Sequence, residues 1–62
     1  MKIEEKWTSV LYKLPTEGVV VQTMISDDDG IRNVAKLKRA KNLWWFADGS
    51  MYVYYNPTHW KL

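Results

Sequence analysis

The sequence predicts a mainly β domain: one small twisted antiparallel sheet of three to four strands, with an N-terminal arm or single helical turn. Three observations lead there. Val19-Val20-Val21-Gln22-Thr23-Met24-Ile25 is rich in β-branched side chains and is the clearest strand in the chain. Two aromatic, β-prone runs, residues 43–47 and 50–55, flank Asp48-Gly49, a dipeptide that favours tight hairpin turns. The 62 residues hold four Trp, four Tyr and one Phe, enough large side chains for a core.

The elements follow in order. Residues 1–6 are charged and are expected to fray, so structure is expected from Trp7. In residues 8–15, Ser9 is an N-cap and Pro15 a stop, which allows one helical turn or an irregular arm and no full helix. Thr16-Glu17-Gly18 reads as a turn before the strand, and Ser26-Asp27-Asp28-Asp29-Gly30 has loop chemistry throughout.

Residues 31–41 carry two readings. A helix would place three Asp at its positive end, Ile31, Val34 and Ala35 on one face, and Lys36, Lys38, Arg39 and Lys41 at its negative end. Gly30 and Asn33 in the first turns oppose it, and a short polar loop after a strong strand suits a hairpin. The hairpin is preferred and the helix stays open. A Lys41-Asn42 turn then leads into the aromatic hairpin, which Asn56-Pro57 ends. The tail, Thr58-His59-Trp60-Lys61-Leu62, is too apolar to be loose, so Trp60 is expected to dock on the sheet. Residues 1–62 form one domain, with no repeat, linker or low-complexity tract.

Composition excludes several function classes. Without Cys there are no disulfides, thiolate metal sites or cysteine nucleophiles, and a single His builds no His-rich metal site. No apolar run is long enough to span a bilayer, and the Met1-Lys2-Ile3-Glu4-Glu5-Lys6 start is too acidic for a signal peptide, so a cytoplasmic protein without membrane contact is expected. Placing Gly30 at the sixth position of a calcium loop puts Ile25 first and Lys36 last, where carboxylates are required, so the Asp run reads as a solvated turn. No Gly-x-Ser-x-Gly elbow or Gly-rich phosphate loop frames a nucleophile, and His59 reads as a structural hydrogen-bonder. No catalytic residue, metal ligand or cofactor is assigned, and enzyme activity is not expected.

The order Trp7-Thr8-Ser9-Val10, Leu14-Pro15-Thr16-Glu17-Gly18, a valine-rich strand, an acidic Gly loop, Trp44-Trp45-Phe46-Ala47-Asp48-Gly49 and Thr58-His59-Trp60 resembles a family of short phage and prophage proteins known as a domain of unknown function. The resemblance runs from Trp7 to Leu62. It implies a strand rather than a helix over residues 31–39, a phage or prophage gene, and a bacterial host cytoplasm. It implies no activity. The basic stretch of residues 36–41 and the lack of a proline-bearing tail after Trp60 depart from the family pattern.

Two features point to a binding surface. Arg32, Lys36, Lys38, Arg39 and Lys41 crowd ten residues beside Trp44 and Trp45. Cations that track phosphates beside aromatic rings on which bases stack suit a nucleic acid, while a lysine-rich strand edge that resists aggregation is the structural alternative. Neighbouring strand residues also point to opposite faces, so Trp44 and Trp45 cannot share one core, and the alternation of Tyr52 and Tyr54 with Met51, Val53 and Tyr55 repeats the situation. One face is the core. The other must be covered by the residue 7–14 arm and the Trp60 tail, or else by another molecule.

The expected function is a non-enzymatic phage accessory protein that binds a host protein through Trp44, Tyr52, Tyr54 and Tyr55 and through the basic edge of Arg32, Lys36, Lys38, Arg39 and Lys41. The alternatives are a weak nucleic-acid-binding module using residues 36–41, and a structural homodimer that covers its second face by self-association.

Overall fold

The β-branched run forms the spine of the molecule. In the structure, a computed structural model that describes residues 7–62, it becomes β2 (Val20–Asp27), which pairs antiparallel with β3 (Gly30–Ala40). The expected fraying of residues 1–6 lies outside the described residues. Only Asp28 and Asp29 separate the two strands, and Gly30 takes the positive φ, 107°, that ends the turn. Residues 31–40 are therefore strand, as the hairpin reading expects, followed by a turn at Lys41-Asn42. Those two residues have φ of 53° and 66°, the double left-handed pattern of a two-residue hairpin turn, and lead into β4 (Leu43–Phe46).

The β2–β3 register contains one irregularity. Partners run in step from Val20 with Lys38 to Thr23 with Ala35, then slip by one, so that Ile25 faces Arg32. The extra residue lies on β3, where Asn33 has a φ of 55°. Asn tolerates that left-handed conformation better than most residues, and a bulge needs it. Because side chains alternate along a strand, the bulge reverses which side of the sheet the distal part of β3 faces.

Two short strands complete the sheet: β1 (Thr8–Ser9) and β5 (His59–Lys61). The order is β1-β5-β2-β3-β4, all neighbours antiparallel, so five strands form where three to four were expected. The difference arises at the termini. The Trp60 tail inserts as an inner strand between β2 and the start of the arm, pairing Trp60 with both Thr23 and Thr8. After β1, Ser9 caps a single turn: its hydroxyl accepts the Leu11 N–H, and its carbonyl accepts the N–H groups of Tyr12 and Lys13. Arm and turn thus both occur.

The second aromatic run departs from expectation. Residues 50–55 form no strand and meet β4 at one isolated bridge, Trp45 with Tyr52. The Phe46 N–H donates to the Met51 carbonyl and the Val53 N–H to the Trp44 carbonyl, after which pairing stops. The cause is topological. Continued pairing would carry the chain along the β4 edge, whereas β5 must reach the far side of β2. The segment instead crosses over β3 and β2, and its side chains still alternate: Val53 and Tyr55 pack on the core while Tyr52 meets Trp45.

The main core cluster lies on one side of the sheet, while Met24, paired with His59 on the side of Gln22 and Lys61, is buried outside that cluster. Val21, Leu37, Trp44 and Trp60 are the cluster's buried centre, with Val10, Ala35, Val53 and Tyr55 packed against them. The Trp60 indole N–H donates to the Lys13 carbonyl at 2.8 Å, which fastens the arm over this side of the sheet. Buried indole rings need such a partner.

Trp60→Ala is expected to cost about 3 to 5 kcal/mol, enough to unfold much of the population of so small a domain. Trp60→Phe retains most of the apolar area but leaves the Lys13 carbonyl without its donor, at a cost of about 1 kcal/mol. Urea unfolding of both variants checks the ordering; equal, near-zero effects would contradict the role given to the indole.

Candidate nucleic-acid interface

Val10 of the arm and Val53 and Tyr55 of the crossing lie on the same side of the sheet, the side of Trp44 and Trp60. The sequence left open whether arm and tail would hide the second face. They do not, because the tail is itself a strand of the sheet and the arm packs over its tryptophan.

Register assigns the residues of the opposite face, which the described arm and crossing leave largely open. Gln22 pairs with Lys36 on one side and Lys61 on the other, and Val20 pairs with Lys38, which pairs with Trp45. Directly paired residues share a face. Lys36 and Lys38 on β3 and Lys61 on β5, the two strands that flank β2, therefore stand on the same side as Trp45. Trp7 continues β1 in line with Lys61, whose Nζ lies 5.0 Å from the Trp7 ring centroid. Lys36 is exposed, and Lys38, Lys61 and both indoles are partly exposed.

Trp45 is held in place. Its indole N–H donates to the Ala40 carbonyl at 3.0 Å, and Tyr52 meets it edge-to-face with centroids 5.6 Å apart. Lys38 reaches across β4 toward the 47–50 turn, where a Cβ on Gly49 would lie 3.5 Å from its Nζ. Asp48 sits at the rim of the face in that turn. The Ser50 N–H, which donates to it at 2.9 Å, holds its carboxyl below the ordinary range, and the Lys38 charge adds a smaller push in the same direction.

Of the residues the sequence singled out, only some meet here. Lys36 and Lys38 lie on the face. Arg39 pairs with Trp44 on the opposite side, its guanidinium 5.4 Å from the indole centroid. Arg32, turned by the bulge, pairs with Ile25 on that same opposite side and forms a bidentate ion pair with Asp27 at 2.7 and 3.0 Å. Lys41 is in the β3–β4 turn, its backbone N–H donating to the Glu17 carboxylate. Trp44, expected in a binding patch, is 3% exposed and belongs to the core; Tyr55 is partly buried against that core. Lys61 and Trp7 were missed. Both lie far along the chain from the basic stretch, and only the strand order brings them in.

Tyr52 and Tyr54 remain exposed, at 40% and 88%, and meet edge-to-face at 5.7 Å. With Phe46, Met51, Val53 and Tyr55 they line a shallow apolar groove of about 320 Å³ at the β4 end of the sheet. The other sequence candidates resolve locally. Asp27 is engaged by Arg32 and by the Asp29 N–H, and His59 Nδ1 lies 2.8 Å from the Thr58 hydroxyl, which also accepts the Ser26 N–H. Among the described residues no cluster of three metal-ligating side chains occurs, and no helix is long and apolar enough to cross a membrane.

Fold and site define a class: a small antiparallel sheet domain, covered on one side and bearing lysines and indoles on the other. No protein-family model matches the chain, and no curated protein or solved structure matches it either.

The Arg32 guanidinium, and after it the Asp29 N–H, hold the Asp27 carboxyl below the ordinary range. A carboxyl depressed in the folded state stabilises above its unfolded pKa, and that contribution is lost as pH falls through the folded value. Acid is therefore expected to loosen the hairpin tip. NMR titration of the Asp27 carboxyl is expected to give a low pKa that rises in Arg32→Ala; an unchanged value would remove the pair from the account.

Proposed function

We propose that this protein is a non-enzymatic nucleic-acid-binding module that holds its ligand on the largely open face of the sheet. The observation that carries it is the juxtaposition of Lys36, Lys38 and Lys61 with Trp45 and Trp7 on one side of the sheet. Ammonium groups neutralise phosphates, and indoles supply the flat apolar surface on which a base stacks. Asp48 places a carboxylate at the rim of this face, beside Lys38. The net charge of +2 understates the local field, because Arg32 is neutralised by Asp27 and the Asp turn is at the far tip of the β2–β3 hairpin. A phage or prophage origin and action in a bacterial cytoplasm are part of the same proposal.

A second reading has its own observation. The apolar groove beside Tyr52 and Tyr54 suits a host protein that buries exposed aromatic side chains, since Tyr is enriched at interface hot spots. It shares only Tyr52 with the lysine face through the Trp45 contact.

Anisotropy titration of a labelled sixteen-nucleotide oligothymidylate separates the two. Binding is expected at about 50 mM salt, with log K falling against log salt at a slope near −2, three phosphates at about −0.7 each. Charge reversal at Lys36 and Lys61 is expected to abolish it, and Tyr54→Ser is expected to leave it unchanged. Salt-independent binding, or binding lost with Tyr54 and kept without the lysines, would transfer the function to the groove.

A further inference from the structure

Resting on that reading, we infer that the face takes a single strand rather than a duplex, and that the strand runs across the β-strands with a footprint of about four nucleotides, its ends stacked on Trp7 and Trp45. The geometry begins with the order of the sheet. Trp7 flanks β1 at one margin, and Trp45 is on β4 at the other. Between them stand Lys61 on β5, Gln22 on β2, and Lys36 and Lys38 on β3. With neighbouring strands about 4.8 Å apart, four steps separate the two indoles by about 19 Å.

The indoles thus occupy the two ends of a path, and the ammonium groups lie along it. A ligand running parallel to the β-strands would meet one indole at most. A ligand running across them meets an indole, the Lys61 ammonium, the Gln22 amide, the Lys36 and Lys38 ammoniums, and the second indole. Gln22 is partly exposed and offers both a donor and an acceptor in the middle of the path, suited to a base edge or a sugar.

Duplex is the poorer fit for two reasons. Its bases are already stacked on one another, so Trp7 and Trp45 have no base faces to meet. The face also presents no helix or protruding ribbon between the indoles to enter a groove: the β2–β3 hairpin does project, but its tip carries Asp27, Asp28 and Asp29, which phosphates repel. The lysines alone would leave only a salt-sensitive phosphate contact.

The test uses the intact chain and oligothymidylates of two, four, eight and sixteen nucleotides, beside a sixteen-base-pair duplex, at one low salt concentration. Affinity is expected to rise steeply up to four nucleotides, and beyond that only in proportion to the number of overlapping sites. The duplex is expected to bind at least about tenfold more weakly than the sixteen-nucleotide strand. Trp7→Ala, at the sheet margin and outside the core, is expected to weaken the four-nucleotide ligand at least about fivefold, the loss of one stacked base, and to leave the dinucleotide nearly unchanged. Trp45→Phe keeps a ring in the path and is expected to retain most of the affinity, which guards against misfolding as the cause of a loss. Equal binding of duplex and single strand, or affinity rising smoothly with phosphate number and without a break, would overturn this inference while leaving nucleic-acid binding intact. If the longest strand fails to bind at low salt, the function proposed for the face falls with it.

Discussion

Trp60 is the constraint on which the rest of the structure depends. Its backbone places β5 between β1 and β2, and its indole is a buried member of the core. The same ring donates to the Lys13 carbonyl and fixes the arm. One residue thus joins the arm and the last strand to the central hairpin. A domain of this size, without disulfide or metal, has few such points to rely on. With β5 in place, the chain between β4 and β5 must cross the sheet, and the crossing adds Val53 and Tyr55 to the covering layer.

Among the described residues most of the covering layer therefore goes to one side, although Met24 is buried from the other. The other side is tolerable in water because of what occupies it. Lys36, Lys38 and Lys61 lay aliphatic stems along the sheet while their ammonium groups stay hydrated. The bulge at Asn33, on the part of β3 that β4 does not pair, also discourages edge-to-edge association of an open sheet. On the proposed function, the lysines that keep this face hydrated are also the groups that meet phosphate.

Much of the fold was legible from residue chemistry. β2 announces itself by β-branching, the Ser9 turn by its cap, and the β3–β4 turn by a Lys-Asn pair of which only Asn favours a left-handed φ. The β5 strand did not, because three residues carry no usable period and their pairing spans almost the whole chain. The failure of residues 50–55 to form a strand has the same origin, since their local preference yields to the route the chain must take. The site was half legible. A linear count gathers Arg32, Lys36, Lys38, Arg39 and Lys41 into one patch, but alternation sends Arg39 to the core side and the extra residue at Asn33 sends Arg32 there as well. The opposition of Trp44 and Trp45, by contrast, follows from strand geometry alone and is observed: one is buried and the other stands with the lysines.

That opposition also governs what kind of binding surface the face can be. Three ammonium groups give a modest, salt-dependent attraction, so phosphate contact alone would leave the protein weakly bound to any nucleic acid. Selectivity has to come from the rings. Trp45 is well suited to supply it, because its N–H is committed to the Ala40 carbonyl and Tyr52 meets it edge-to-face, so its orientation is set before a ligand arrives. A base stacking there loses its own freedom but does not have to order the indole, and that saving favours ligands whose bases are already unpaired. The Trp44–Trp45 pair thus divides its work by strand parity: one indole stabilises the sheet, and its neighbour is held ready on the face the sheet leaves open.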